Sequence, residues 1–374
     1  MSNTGVYVAG HGGNVWGYVL KLDYNGNVVN NFGGITIGNG APQVQGMVTF
    51  QNIVGGNYGA DSAEDVYVSG GSVYVVGYSA YDYTNTAGVV IKMDENSGTL
   101  DSNFGTNGVK VINDVDGQDV NDGCTAVYVE GNNLYVAIFS GPYLYVKKLD
   151  AGNGNEIGSS QRLERSSYPN CDIESSGDGN IIVGISGYNG STDYIYITKL
   201  DGSSLVKLYE KRIMPSDFSN FGSYDYLYYR DHYVSGGNVY VVGTLELTNI
   251  REDDIALMKL NISDLSYDSS FGVGGKLVFD NIDTSTSSNT GNSIWVDSQG
   301  RIYVVGSGYK IYVLRLDSNG NIDSSFGVGG KLVLDYIGSS IVDEIVSMFM
   351  YGGSLYMTGR NDIGGLALRM DNLQ

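Results

Sequence analysis

The sequence is poor in the residues that most chemistry needs. It holds two cysteines and two histidines in 374 residues. Two cysteines build no disulfide framework. Two histidines, His11 and His232, build no histidine-rich transition-metal site. Lysine and arginine total 21 against 41 aspartates and glutamates, a formal charge of −20. That balance argues against nucleic acid, because phosphate binding rests on basic side chains. No run approaches 18 apolar residues, so none reads as a membrane span. Residues 1–30 lack the basic start and apolar stretch of a signal peptide. Neither a Gly-x-Ser-x-Gly elbow nor a Walker-type loop occurs. Proline is down to 4 residues, whereas glycine reaches 55, about 15 % of the chain and twice the usual share. Tyrosine supplies 31 aromatics, beside 10 phenylalanines and 2 tryptophans. A hydrophobic share of 42 % suffices for a sizeable core and excludes a disordered chain.

What is present is a repeat. A short alternating strand closes on glycine, a variable stretch follows, and a second strand closes on a Leu-Asp-like pair. The first strands begin near residues 6, 73, 134, 181, 239, 302 and 355, as in Val73-Tyr74-Val75-Val76-Gly77 and Val239-Tyr240-Val241-Val242-Gly243. Second strands end at Leu22-Asp23, Met93-Asp94, Leu149-Asp150, Leu200-Asp201, Leu260-Asn261, Leu316-Asp317 and Met370-Asp371. The seven copies recur about every 58 residues. A further apolar segment precedes most copies (65–68, 126–129, 294–296, 345–350), and another follows most (109–112, 276–279, 331–334). The order is therefore four strands, A to D, joined by tight turns such as Gly70-Gly71 and Asn319-Gly320-Asn321. Period-two valine, isoleucine and tyrosine favour strands, and no 3.6-residue pattern competes. Short antiparallel strands in repeated units describe an all-β fold, a β-propeller of seven blades of mostly four antiparallel strands, spanning 1–374 as one domain. No A strand is visible before Val6 and no D strand after Asp371, so either the chain ends pair to complete a terminal blade or one blade is short.

The C-to-D passage carries a signature. Asp268-Ser269-Ser270-Phe271-Gly272-Val273-Gly274-Gly275-Lys276 is repeated almost letter for letter by Asp323 to Lys331, and Asp101-Ser102-Asn103-Phe104-Gly105 and Asn31-Phe32-Gly33-Gly34 are weaker copies. In these residues the chain resembles the delta-60 repeat family of β-propeller proteins. The third and fourth copies lack the Ser-Phe-Gly core. The resemblance implies a propeller and an extracellular or cell-surface setting, and it brings no reaction. The residues themselves suggest that Phe104, Phe271 and Phe326 plug the space between blades, with the glycines turning the chain where a side chain would clash.

If A is innermost, the A–B and C–D turns lie at one end of each blade and are short. The B–C and D–A connections lie at the other end, and 35–64, 78–88, 187–194, 213–232 and 244–254 read as long loops there. Long connectors on a rigid scaffold usually carry function. Tyrosines gather in them, and Tyr81, Tyr83, Tyr188, Tyr224, Tyr226 and Tyr228 are the candidate binding residues. Acidic residues stand near most A strands: Glu64, Asp65, Asp122, Asp172, Asp231, Asp343 and Glu344. They would ring the mouth of a central channel. Within 114–123, Asp114, Asp116, Asp119 and Asp122 form an oxygen-rich stretch that reads as a calcium (Ca2+) loop or as a solvated acidic loop, without EF-hand spacing. His232 beside Asp231 reads as a general base or as a structural residue. Cys124 and Cys171 each stand ten residues before a matching strand start, so they read as equivalent positions, two buried thiols or one inter-unit disulfide.

Three functions fit. The first is a non-catalytic surface module that binds a glycan or a protein partner through the long-loop face. The second is a polysaccharide hydrolase or lyase with carboxylates at the channel. The third is an assembly component of a surface layer, filament or virion. The chain is expected as a monomer or weakly self-associating through its terminal blades.

Overall fold

The computed structural model describes the chain apart from residues 1–3, 13–15, 57–59, 83–84, 118–120, 167–169, 249–251, 281, 283–287, 309, 335–343, 362–363, 372 and 374. Sheet one contains β1 (Val6–Gly12), β2 (Trp16–Leu22), β3 (Ile35–Gly38) and β4 (Met47–Gln51). Sheet two contains β5 (Asp61–Ser69), β6 (Ser72–Ala80), β7 (Thr86–Asp94) and β8 (Val109–Ile112). Sheet three contains β9 (Asp122–Glu130), β10 (Asn133–Ser140), β11 (Tyr143–Asp150) and β12 (Glu156–Ser159). Sheet four contains β13 (Cys171–Ser175), β14 (Ile181–Tyr188), β15 (Asp193–Leu200) and β16 (Lys207–Ile213). Sheet five contains β17 (Tyr226–Ser235), β18 (Asn238–Leu247), β19 (Glu252–Asn261) and β20 (Lys276–Phe279). Sheet six contains β21 (Thr290–Val296), β22 (Ile302–Ser307), β23 (Ile311–Leu316) and β24 (Lys331–Leu334). Sheet seven contains β25 (Glu344–Tyr351), β26 (Ser354–Asn361) and β27 (Gly364–Met370). The chain is a seven-bladed β-propeller, and among the described residues the one helical turn is a 3-10 turn at Pro215–Phe218. It divides into two compact units, Met1–Ile173 with Asp201–Val206, and Glu174–Leu200 with Lys207–Gln374.

Sheets two to six follow the expected meander, each strand antiparallel to the next. Sheet one departs from it. Its order is β1-β2-β4-β3, and β3 runs parallel to β4. Residues 35–64, expected as a loop, therefore supply both outer strands of sheet one and the start of β5. Sheet seven has three strands among the described residues, which is the short-blade alternative.

Most of the other expected loops are also strand. β6 runs to Ala80, β14 to Tyr188 and β18 to Leu247, so the B–C hairpins extend well into the stretches expected as loops. The glycine closing each first-strand phrase misleads here. Gly77, Gly243, Gly306 and Gly359 lie inside their strands, opposite a β-bulge in the A strand. A Cβ at any of them would fall within 3.0 Å of an A-strand backbone carbonyl oxygen. Glycine marks a close backbone approach rather than a strand end.

The signature residues join neighbouring sheets. Phe32, Phe104, Phe271 and Phe326 are fully buried. Each meets the edge of a B-strand tyrosine: Tyr7 at 5.6 Å, Tyr74 at 6.3 Å, Tyr240 at 6.5 Å and Tyr303 at 6.1 Å. A cation immediately before the Leu-Asp pair lies over these rings. Lys21, Lys92 and Lys259 do so 5.2 to 5.9 Å from the ring centres they cover, and Arg315 at 4.7 Å from Phe326. The signature aspartate closes the group, with Lys92–Asp101 at 2.8 Å, Lys259–Asp268 at 2.9 Å and Arg315–Asp323 at 2.7 Å. Donors then cross to the next sheet's C–D turn. Tyr74 Oη donates to the Ala151 carbonyl (2.9 Å), Lys148 Nζ to Gly202 (2.8 Å) and Arg315 to Leu373 (2.6 Å). The glycines after Phe32, Phe104 and Phe271 join in, Gly33 N–H donating to the Ser97 carbonyl (2.8 Å), Gly105 N–H to Asn153 (2.9 Å) and Gly272 N–H to Asn319 (3.2 Å). Sheet four lacks the signature aspartate, and Asp178 of its own A–B turn pairs with Lys199 instead, at 2.7 Å.

The Leu-Asp aspartates are turn caps. Asp317 Oδ1 accepts from the Asn319 and Asn321 N–H groups, both at 2.9 Å, and Asp23 and Asp150 do the same in their turns.

Candidate functional site

The acidic residues expected around a channel mouth have separate tasks. Asp65 follows the β5 bulge. Its Oδ1 accepts from its neighbour Val66 (2.7 Å), and its Oδ2 accepts from Val127 N–H of β9 in the next sheet (2.9 Å). Asp231 repeats the arrangement, accepting from His232 N–H (2.8 Å), Ile294 N–H (2.9 Å) and Ser293 Oγ (2.7 Å). Ser293 holds that position in sheet six and accepts from Met348 N–H at 3.2 Å. These side chains bind the A strand of one blade to that of the next. Burial, and then the charge of Asp172, push the Asp65 carboxyl up to about 7. Burial pushes Asp172 to about 6. Glu344 pairs with Arg360 at 2.7 Å. Glu64 is exposed, and Asp343 lies outside the described residues.

Asp114 is exposed with φ +55°, Asp116 is half-buried, and Asp119 lies outside the described residues. Asp122 is buried at the start of β9, where its carboxylate accepts from the Val115 N–H at 3.3 Å. Burial raises its pKa, and the charge of Asp116 adds to this. Asp61 sits identically at the start of β5 and accepts from Ile53 N–H (3.1 Å) and Ser79 Oγ (2.7 Å). Both acids fasten a D–A connector. Among the described residues no three His, Cys, Asp or Glu side chains form a group that could hold a metal ion.

His232 is buried, and its Nδ1 lies 2.7 Å from Tyr229 Oη. Burial lowers its pKa to about 3, so it stays neutral, and the structural alternative describes it. Cys124 and Cys171 are free thiols whose pKa values burial raises. They are not equivalent positions. The A–B turn of sheet four runs from Ser176 to Asn180, one residue longer than that of sheet three, and this sets Cys171 level with Thr125.

The candidate tyrosines divide between the two units. In the first unit, Tyr81 is half-buried and lines a cleft of about 910 Å³ with β3 and β8. Tyr83 lies outside the described residues. In the second, Tyr188 ends β14, and its hairpin is tied to the chain before β17 by a bond from Thr192 Oγ1 to the Asp225 carbonyl (2.5 Å). Tyr224 is half-buried and donates to Asp254 at 2.8 Å; burial, and then that bond, raise its pKa. Tyr226 and Tyr228 belong to β17 rather than to a loop. They alternate along one face with their rings stacked 6.1 Å apart at 24°, and both keep part of their surface in solvent.

Sequence reading missed aromatics at the other end of the same sheets. Tyr233 and Trp295, half-exposed on adjacent A strands, lie 4.5 Å apart at the short-turn end of sheets five and six. The signal was legible in hindsight, since Trp295 is one of two tryptophans and follows the A-strand alternation.

No family model matches the chain, and no curated protein matches it. Among solved structures it is similar to the Dos1 propeller, at 10 % identity and a TM-score of 0.48 over 99 % of this chain and 82 % of that one. It is similar to the dihydro-heme d1 dehydrogenase NirN in complex with DHE, at 14 % and 0.48 over 98 % and 62 %. An endo-arabinase from Bacteroides thetaiotaomicron VPI-5482 follows at 14 % and 0.39 over 66 % and 92 %. These likenesses transfer no activity, ligand or partner. Among the described residues no helix is long and apolar enough to cross a membrane.

Proposed function

We propose that the chain is a non-catalytic binding module of the delta-60 kind, working at a cell surface or outside the cell. It takes a glycan or protein partner on the long-connector end of its blades. The observation that carries this reading is the stacked, half-exposed Tyr226–Tyr228 pair on a ten-residue strand. Two rigid rings held in register give wide contact area at little entropic cost. The Tyr188 hairpin tied to Asp225 adds a third tyrosine nearby. Against hydrolase or lyase chemistry stands the use of the raised carboxyls. Asp65 spends both carboxyl oxygens on backbone N–H groups of its own and the neighbouring A strand, a structural use.

A glycan array and a pull-down, each run with and without calcium, test this reading. The wild-type chain is expected to retain a specific ligand that the Tyr226→Ala/Tyr228→Ala variant loses. A blank array and an empty pull-down, or a variant that binds as the wild type does, would overturn it.

A further inference from the structure

The short-turn end of sheets five to seven is concave. A cleft of about 470 Å³ opens there, within the range of about 300–1,000 Å³ that small-molecule sites occupy. Tyr233 and Trp295 form one wall, their rings 4.5 Å apart and inclined at 38°. Asp297, Gln299 and Arg301 of the β21–β22 turn form a second, and Tyr351 closes it.

The turn wall is preorganised. Asp297 Oδ1 accepts from the Gln299 and Arg301 N–H groups, both at 2.9 Å, and its Oδ2 accepts from Arg301 Nε at 2.7 Å. Arg301 and Asp297 cancel in charge. The cleft therefore favours neither an anion, on a chain already at −20, nor a cation, which would meet the guanidinium. A wholly apolar ligand would cover the exposed Gln299 amide and give it nothing to bond. What matches all walls is a neutral molecule with one apolar ring face and a rim of hydroxyls.

We propose that this cleft binds a neutral saccharide unit, its ring face on Trp295 and Tyr233 and its hydroxyls on Gln299, Arg301 and Tyr351. The Tyr233 hydroxyl stays protonated and able to donate, because burial and the charge of Glu174 push its pKa up to about 12. The site lies at the opposite end of β17 from Tyr226 and Tyr228, so it is a second surface beyond the one proposed above.

Titration of the full chain with glucose, galactose, mannose, N-acetylglucosamine, maltose and cellobiose tests it, read by tryptophan fluorescence and saturation-transfer NMR. At least one sugar is expected to give a saturable change that Trp16→Phe retains. Trp295→Ala should weaken it at least about tenfold through loss of the aromatic platform. Gln299 is exposed, so Gln299→Ala keeps the fold and should weaken binding severalfold even where Trp295→Ala disturbs packing. Tyr226→Ala/Tyr228→Ala should bind the sugar as the wild type does, which separates this site from the partner surface. No saturable response to any of the six sugars, or wild-type affinity in Gln299→Ala, would overturn the proposal.

Discussion

Phe104 sits between the Tyr74 ring and Lys92, and Phe271 against the Tyr240 ring, both fully buried. Truncating either removes buried ring area and leaves a cavity that two packed sheets cannot close. Phe104→Ala and Phe271→Ala should each cost about 3–5 kcal/mol in denaturant titrations. Tyr74→Phe removes only the bond to the Ala151 carbonyl and should cost about 1 kcal/mol. At the same scale, Asp65 and Asp172 titrate near 7 and 6, above the unfolded value of about 3.9. The folded state thus binds protons more tightly than the unfolded state, and the stability these groups contribute is fully present at low pH. It declines as pH rises from about 4 through 7. Asp172→Asn should gain stability over the wild type between pH 5 and pH 8, on the order of 1 kcal/mol, seen in thermal melts at both values. Carboxyl NMR of that variant should place Asp65 below its wild-type value. An unchanged Asp65 would contradict the pairing.

Strands were legible in proportion to how far burial shaped them. β22 and β23 are buried along their whole length, and period-two apolar residues announced them, as they announced β8, β20 and β24 with the expected bounds. β16 went unread because it is mostly exposed and carries Lys207, Glu210, Lys211 and Arg212. The pair β3 and β4 was hidden because an insertion before sheet two follows no repeat. The repeated glycine reads as a strand end in sequence and lies mid-strand in the structure. Composition cannot say that the opposing strand bulges there. This gives a prediction at the level of the hairpin. Gly306→Ala should destabilise by more than about 3 kcal/mol, since its Cβ meets backbone. Gly236→Ala, at a hairpin turn with φ +57° and open space, should cost only about 1 kcal/mol.

For the whole molecule, the repeat told the fold, and the tyrosines pointed to one end of the blades. It did not tell which acids were free for chemistry. That depends on backbone N–H groups from the next sheet, which Asp65 and Asp231 accept and which no spacing within one repeat reveals. Two kinds of conspicuous residue therefore have separate tasks. The Phe-Gly signature and its cation pack where neighbouring blades meet, whereas the ligand contacts proposed above fall on the half-exposed aromatics of β17 and β21. A deep mutational scan read by the abundance of folded protein tests that division most directly. Positions Phe32, Phe104, Phe271 and Phe326, with Lys92, Lys259 and Arg315, should tolerate almost nothing, whereas Tyr226, Tyr228 and Gln299 should accept most substitutions at near wild-type abundance. Equal tolerance in the two groups would contradict the account.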